Sequence, residues 1–342
     1  MRAAALVSWL FGLCLVAGLI IYRGAGEVGA ALALAGIGSA LVVPAHAGVL
    51  LADTLGWRAL LAHRPRPFLR SLVAMRWVGA SVNGLLPVAQ IGGEIVRARL
   101  LTRTGTPGSL AGASVIVDLT LGLATQLSFA GLGLGLLLAR GGGHIALLDL
   151  AVGMAAFALL LTAFAFAQQR GPFLRLAHLL EAVVGGRSWL QLAGGAAALD
   201  REIEACYRRR RRFIIGAGFR LVGWLWGSVE LWLIFLLMGH PITAVEAVIL
   251  ESVVQAVRSA GFAIPGALGV QEGGLMVAGM WLGINPDLAL AAALIRRGRE
   301  LLYGCAGLLA WPLLEASGQG PVAPPPARCN GNTGEKRTRA DP

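Results

Sequence analysis

Charged residues are scarce in this chain. Only 14% of its 342 residues are Asp, Glu, Lys or Arg, whereas about a quarter are charged in a typical soluble domain. Hydrophobic residues make up 56% of the chain, and the mean hydropathy is +0.72. Long apolar runs with few charges are typical of transmembrane helices. The composition therefore predicts an integral membrane protein built from transmembrane α-helices.

Clusters of metal-binding or catalytic side chains are also missing from the sequence. The four cysteines show no CxxC pairing and no metal-ligand spacing, and the five histidines are scattered along the chain. We therefore expect no disulfide framework, no metal site, no cofactor and no catalytic residues. On these grounds the sequence predicts a protein that is not an enzyme.

The excess of basic residues is bunched between the apolar runs. The formal net charge is +11, which could indicate nucleic-acid binding if it were spread over a folded surface. Instead the arginines concentrate in residues 53–76, 97–103 and 168–212, and further basic residues lie in the C-terminal tail. This is the positive-inside pattern of cytoplasmic loops. We expect no nucleic-acid partner, and we place these segments in the cytoplasm.

Six apolar segments reach the roughly 20 residues that a helix needs to cross a bilayer. They are residues 3–22, 29–52, 110–139, 144–167, 213–238 and 287–314. Two further apolar regions, 68–103 and 244–284, are interrupted by Pro, Gly and charged residues. All basic segments lie in the cytoplasm if each interrupted region enters and leaves the membrane on the same side. The same result follows if another arrangement with an even number of membrane crossings replaces these hairpins.

The predicted fold is an all-α polytopic membrane protein with about six full spans plus two re-entrant broken-helix hairpins. We expect it in a bacterial inner (plasma) membrane, with the N-terminus and the C-terminus cytoplasmic. Residues 1–316 would form the transmembrane domain, which includes cytoplasmic interfacial helices over 172–212. The Pro-rich, polar residues 317–342 would form a disordered cytoplasmic tail.

Helical spacing supports the interfacial helices. Leu199, Ile203 and Tyr207 recur on one face, and Glu204 and Arg208 form an i,i+4 pair. A basic amphipathic helix of this kind is typical of a segment that lies on an anionic membrane surface.

The two interrupted regions resemble each other. In each, a glutamate follows a proline by seven residues, Glu94 after Pro87 and Glu272 after Pro265, and glycines lie between them. Proline removes a backbone donor and disfavours helix in the preceding residue, while glycine permits a tight turn. The structural residues of these turns would be Pro87, Gly92, Gly93, Pro265 and Gly269.

Flanking helices extend the similarity into two units. Helix 29–52, the first hairpin and helix 110–139 form one unit, and helix 213–238, the second hairpin and helix 287–314 form the other. The placement of the basic segments gives these units opposite orientations. Inverted repeats with broken helices at the substrate site are typical of secondary transporters.

Ionisable residues fall inside the predicted membrane segments, and each costs about 2.5–3.5 kcal/mol at a helix centre. They are Asp118, Glu230, Glu251, Arg258, Arg296, Arg297, Arg299 and Glu300. Two interpretations are open: a polar cavity that admits a charged headgroup, or ion pairs that fasten irregular helices. Asp118 and Arg296 each lie 31 residues after a hairpin proline. We therefore expect their two helices to approach each other near the middle of the membrane.

The functional interpretation assigns roles by charge. Arginines would contact phosphate or carboxylate, and Glu94 and Glu272 would contact a cation or a proton. In the alternative interpretation, Asn83 has the structural role of capping the broken helix. The candidate residues for binding a lipid headgroup or other substrate are Asn83, Glu94, Arg97, Glu251, Arg258, Glu272, Arg296 and Arg299.

These motifs resemble a known family. The pattern of Asn83, Leu86-Pro87, Gly92-Gly93-Glu94 and Arg97, the stretch 264–273, and the helix with Arg296 and Arg299 are similar to the transmembrane region of lysylphosphatidylglycerol synthases. Within this flippase-like family, the sequence looks most like the branch associated with hopanoid biosynthesis.

The resemblance implies that the protein moves a phospholipid or hopanoid-type lipid between leaflets, or hands it to a partner. Membrane lipids would be its main partners, together with membrane enzymes of lipid biosynthesis. The synthases carry a separate soluble aminoacyl-transferase domain, and residues after Leu314 are not expected to form one, so synthase activity is not implied. Two alternatives stay open: a membrane enzyme acting on a lipid phosphate, and a small-solute secondary transporter.

Overall fold

All regular elements in the described part of the chain are helices. The computed structural model describes residues 36–61, 67–86, 91–140, 189–260, 264 and 267–317, together with scattered single positions between 26 and 170. A short 3₁₀ helix, Gly36–Leu41, precedes ten helices: α1 Val42–Ala45, α2 Ala47–Leu60, α3 Leu69–Leu85, α4 Gly92–Thr102, α5 Gly108–Ala139, α6 Trp189–Arg208, α7 Arg210–Leu237, α8 Ala244–Ala260, α9 Val270–Trp281 and α10 Pro286–Ser317.

Two of these helices, α5 and α7, are long and apolar enough to cross a membrane. Helix α10 is as long as α5, but four charged residues within 296–300 interrupt its apolar character. The predicted span 3–22 and the predicted tail after Ser317 lie outside the described residues, and only single positions of 144–167 are described. The fold is thus the all-helical architecture of a polytopic membrane protein.

One predicted boundary is wrong. The apolar segment 29–52 was expected to end before a basic loop, but α2 continues to Leu60 and α3 begins at Leu69. Asp53 and Arg76 therefore lie within helices, not in a loop. A charge at the edge of an apolar run ends a hydropathy window without ending the helix, because a buried partner can compensate for it.

The first hairpin consists of α3 and α4, and it depends on two glycines. A Cβ atom on Gly93 would collide with the carbonyl oxygen of Gly79, so the two helices approach at backbone distance. The Gly93 N–H also donates a hydrogen bond of 2.7 Å to Asn83 Oδ1. Gly79 faces Arg97 while Asn83 faces Gly93, so the helices run antiparallel. Pro87 lies outside the described residues.

The second hairpin consists of α8 and α9. Gly269 precedes α9 with a φ of 76°, in the left-handed region that favours glycine. Its N–H donates a 2.8 Å hydrogen bond to Glu272 Oε2, which caps the helix start. Pro265 lies outside the described residues. Both predicted breaks are present as helical hairpins; their re-entrant placement in the bilayer stays a prediction.

Two groups of four helices pack around each other. The first unit is α2 to α5, and the second is α7 to α10. Helices α2 and α7 are antiparallel, because Gly56 meets Gly216 while Asp53 meets Gly223. Helix α3 packs on α10, and α8 packs on α5. This exchange of partners, with antiparallel leading helices, is the arrangement that an inverted repeat produces.

Large apolar side chains cover the outside of this bundle. Leu302, Leu309 and Leu313 of α10 are between 63% and 77% exposed, and Ile214 of α7 is 68% exposed. Contiguous apolar surface of this kind is a liability in water. In a membrane protein these faces contact lipid, which is as apolar as leucine.

Helix α6 packs against the bundle. Ile203 and Cys206 are buried against Val117 and Leu121 of α5. The predicted apolar face with Leu199, Ile203 and Tyr207 therefore contacts protein, whereas the predicted Glu204–Arg208 pair forms on the exposed face at 2.7 Å.

Candidate functional site

A cavity bordered by charged side chains lies between the two units. Its volume is about 460 Å³, which is within the range of ligand pockets. The charged and titratable residues that line it among those described include His46, Asp53, Glu230, Glu251, Arg258, Arg296, Arg297, Arg299, Glu300 and Tyr303. Four of the predicted headgroup residues are thus brought together here: Glu251, Arg258, Arg296 and Arg299. Such a concentration of charge inside a membrane protein requires either water or tight pairing.

The most buried ion pair of the cavity joins α8 to α10. Arg296 donates two hydrogen bonds to Glu251, of 2.5 and 2.9 Å, in the bidentate geometry that favours arginine over lysine. Gln255 donates a third hydrogen bond to Glu251 at 2.7 Å. A Cβ atom on Gly227 would collide with the Glu251 carboxylate, so α7 also contacts this pair closely.

A second ion pair joins α10 to α7. Arg299 Nη2 donates to Glu230 Oε1 at 2.5 Å. His46 Nδ1 lies 2.8 Å from Glu230 Oε2, and the His46 ring meets Tyr303 edge-on at a centroid distance of 5.1 Å. Residues of both units therefore meet at this carboxylate.

The third group of charges in the cavity surrounds Glu300. Arg297 donates to Glu272 Oε1 at 2.7 Å and to Glu300 Oε2 at 2.7 Å. Arg258 contacts Glu300 at 3.3 Å, and its side chain is 28% exposed. Arg258 is thus the least tightly held arginine of the cavity among the described residues.

Glu272 does not line the cavity but joins it to the second hairpin. One of its oxygens accepts from Gly269 N–H, and the other accepts from Arg297. Its side chain is only 1% exposed. Among the described residues Glu272 therefore contacts Arg297 and not the cavity itself, and its contact with a cation or proton stays a prediction.

A separate group of charges, the Asp118 cluster, lies beside the cavity. Asp118 Oδ2 receives three guanidinium groups: Arg76 at 2.6 Å, Arg97 at 2.8 Å and Arg220 at 3.1 Å. Asp53 pairs with Arg220 at 2.8 Å and with Arg76 at 3.1 Å. These five residues tie together α2, α3, α4, α5 and α7.

The first-hairpin candidates belong to this cluster. Glu94 pairs with Arg97, whose guanidinium also lies 4.6 Å from the ring centroid of Trp57. Asn83 bonds the opposite arm of its hairpin. Asn83, Glu94 and Arg97 are not among the described residues that line the cavity, so only half of the eight predicted headgroup residues share one site.

One geometric expectation stays a prediction. Helices α5 and α10 carry Asp118 and Arg296, and within the described structure α5 packs on α8 while α10 packs on α3. Equal spacing from a hairpin predicts equivalent positions in two units, but contact across a two-fold arrangement depends on which faces meet.

Four residues of the cavity and the Asp118 cluster were not among the residues predicted for the site. Asp53 and Arg76 were assigned to a loop, and Arg220 was hidden inside an apolar run as a single charge. His46 was regarded as one of several scattered histidines. Arg220 could have been identified from the sequence, because a single charged residue inside a predicted membrane span is rare and needs a partner.

The all-helical bundle, its exposed apolar faces and its buried charges define the class of protein: a polytopic membrane protein with a polar interior. The chain matches the family described as Lysylphosphatidylglycerol synthase TM region over residues 9–307, and it belongs to that family. The predicted family is thus confirmed, and the chain is a lipid-related membrane protein. No curated protein and no solved structure matches it.

Proposed function

We propose that this protein is a non-catalytic lipid transporter, which moves or hands over a phospholipid or hopanoid-type lipid by holding its headgroup in the cavity between the two units. The observation that carries the proposal is the concentration of four arginines around one 460 Å³ cavity. Guanidinium groups suit phosphate, because they donate paired hydrogen bonds in one plane.

The walls of the cavity support a lipid as the ligand. Ala80 of α3 and Leu301 of α10 both line the cavity and are exposed at the protein surface. A lipid could therefore place its headgroup among the charges while its acyl chains lie along the exposed apolar side chains beside Ala80 and Leu301. A small polar solute would not need exposed apolar side chains beside its binding site.

Arg258 is the arginine that we assign to the first contact with the headgroup. Arg296 and Arg299 are each held by a carboxylate at 2.5 Å, whereas the ion-pair contact of Arg258 among the described residues is with Glu300 at 3.3 Å. An incoming phosphate can replace that contact at small cost. Arg296 and Arg299 line the same cavity and lie within one network of charges with Arg258.

Leaflet-resolved lipid transfer tests this function. The full chain would be reconstituted in liposomes that contain fluorescent phosphatidylglycerol, and the fraction of label in the outer leaflet would be followed by chemical quenching. We expect Arg258→Gln to slow the transfer about tenfold, because a hydrogen bond to a charged group contributes about 1.5–3 kcal/mol. The cavity substitution should leave thermal stability close to that of the wild type.

Arg201→Gln is the matched control. Arg201 is exposed on α6 and bonds only a backbone carbonyl of its own helix in the described contacts. It should transfer lipid at the wild-type rate. Equal rates in the wild type and both variants would remove the cavity from the mechanism, and a wild type no faster than empty liposomes would contradict transport itself.

A further inference from the structure

We propose that His46 is the binding site of a coupling proton, so that a lipid headgroup of net charge −1 enters the cavity together with one proton. This inference rests on the proposed lipid transport and adds the charge of the ligand and the coupling ion. It follows from the balance of charges in the cavity and from the two groups that contact the imidazole ring.

The charges around the cavity cancel among the described residues. The four arginines that line it, Arg258, Arg296, Arg297 and Arg299, pair with four carboxylates, Glu230, Glu251, Glu272 and Glu300. Asp53 also lines the cavity, but it is paired with Arg76 and Arg220 of the Asp118 cluster. An anionic phosphodiester would therefore leave one uncompensated negative charge, which is costly in a site of low dielectric. One added proton would restore neutrality.

His46 is the lining group suited to carry that proton. Imidazole is the side chain whose charge ordinarily changes between pH 5 and 8, whereas carboxylates and guanidinium groups keep their charge there. The side chain of His46 is 21% exposed, so water can reach the ring from the cavity.

The two contacts of the imidazole ring indicate which of its nitrogens carries the hydrogen in the neutral form. Nδ1 lies 2.8 Å from Glu230 Oε2, and Nε2 lies 3.4 Å from Arg299 Nη1. A carboxylate can only accept a hydrogen bond and a guanidinium can only donate one. In the neutral ring these contacts place the hydrogen on Nδ1 and the lone pair on Nε2, facing Arg299.

Protonation would change this arrangement. A proton from water that binds the Nε2 lone pair converts an acceptor for Arg299 into a positively charged donor that repels it. Two cations then compete for Glu230, which keeps its carboxylate charge, and the hold of Glu230 on Arg299 weakens. Arg299 becomes free to bind the phosphate, and its release of the phosphate accompanies loss of the proton.

The groups around His46 define the local electrostatics. Glu230 faces it from α7, and Arg299 and Tyr303 face it from α10. Arg296 lies one turn from Arg299 on α10, and it is neutralised by Glu251 of α8. An incoming phosphate that draws Arg299 away would leave Nε2 of His46 open to a proton from water.

Proton uptake on lipid binding tests the inference without transport. Dihexanoyl-phosphatidylglycerol would be titrated into the detergent-solubilised full chain by calorimetry, in buffers of different ionisation enthalpy at pH 7.5. We expect close to one proton taken up per lipid bound. We also expect affinity to fall about tenfold from pH 5.5 to pH 8.0, although the phosphodiester keeps its charge over this range.

Variants and a second ligand complete the test. His46→Gln should bind the lipid with no proton uptake and no pH dependence, whereas His240→Gln, in the exposed turn after α7, should behave as the wild type. Zwitterionic dihexanoyl-phosphatidylcholine should bind without proton uptake. If His46→Gln fails to fold, His46→Asn and the pH dependence of the wild type still decide the question.

The outcomes separate this inference from the proposed function. Lipid binding without proton uptake in the wild type, uptake that persists in His46→Gln, or no lipid binding at all would overturn the inference. Proton-linked binding without transfer in liposomes would support the His46 site and contradict transport. Transfer in liposomes without any proton linkage would support transport and reject the coupling.

Discussion

The cavity and the Asp118 cluster both contain buried charges. The charges of the cavity border open space, whereas Asp118 is enclosed by other side chains. In the cavity, most carboxylates hold one or two arginines beside open space. In the Asp118 cluster, one fully buried carboxylate holds three arginines from three helices. The comparison indicates a division of roles, in which the cluster fastens the first hairpin to the bundle and the cavity remains available to a ligand.

The largest expected effect follows from removing the centre of the Asp118 cluster. Asp118→Asn would leave three buried guanidinium groups around a neutral amide, and breaking a buried ion pair costs about 3–5 kcal/mol. We expect a large loss of thermal stability in detergent, measured by unfolding of the full chain. Arg258→Gln, at the edge of the cavity, should lower stability far less. Equal losses in the two variants would contradict the division of roles.

The next effect concerns the close approach within the first hairpin. Gly93→Ala would force a methyl group against the Gly79 carbonyl, and overpacking of this kind costs about 1–3 kcal/mol. The hairpin also positions Arg97, so the Asp118 cluster should weaken as well. Gly273→Ala is the control, because a Cβ atom there meets no neighbour within 4 Å. A control that unfolds as early as Gly93→Ala would show that the effect is not steric.

A smaller effect is expected at the turn of the second hairpin. Gly269 has a φ of 76°, and a side chain in the left-handed region costs about 1–2 kcal/mol. Gly269→Ala should therefore reduce stability modestly and also misplace Arg297, which shares Glu272 with this turn. Lipid transfer should fall more than stability does. Unchanged transfer would separate the second hairpin from the function of the cavity.

The smallest effect lies outside both groups, at the exposed start of α8. Thr243 and Glu246 form a capping box, in which Glu246 accepts from the Thr243 N–H at 2.7 Å and pairs with Arg140. Partial burial opposes its ionisation, but the Thr243 backbone and Arg140 hold the pKa of Glu246 below its ordinary value. Removing such a cap costs about 1 kcal/mol.

The pH dependence of this cap has a definite sign. Because the pKa of Glu246 is lowered in the folded protein, its stabilising contribution is present above the pKa of the unfolded chain and is lost as the pH falls through the folded value. Thermal unfolding of the wild type and of Glu246→Gln should therefore differ near neutral pH and converge in acid. A constant difference over that range would contradict the assignment.

Hydropathy and the positions of Pro and Gly were sufficient to predict the helical class and both hairpins. These features are local, because apolar runs, missing donors and small residues act on the chain where they occur. The helical break between α3 and α4, for example, falls between Leu85 and Gly92, where the sequence has Pro87.

The division of the charges into two groups could not be predicted in this way. Spacing along one helix shows which charges share a face, as it did for Arg296 and Arg299, but not which face of another helix meets them. Asp118 and Arg97 were both recognised as polar positions, yet their meeting with Arg220 depends on the packing of α7 against α5. Such long-range pairings are fixed only by the tertiary structure.

An experimental density map of the full chain in phosphatidylglycerol nanodiscs would show whether the cavity between the two units holds a lipid headgroup. We expect a phosphate within hydrogen-bonding distance of Arg258 or Arg299, with the acyl chains of the lipid beside Ala80 and Leu301. A cavity filled only by water, with ordered lipid confined to the outer apolar faces, would contradict the account.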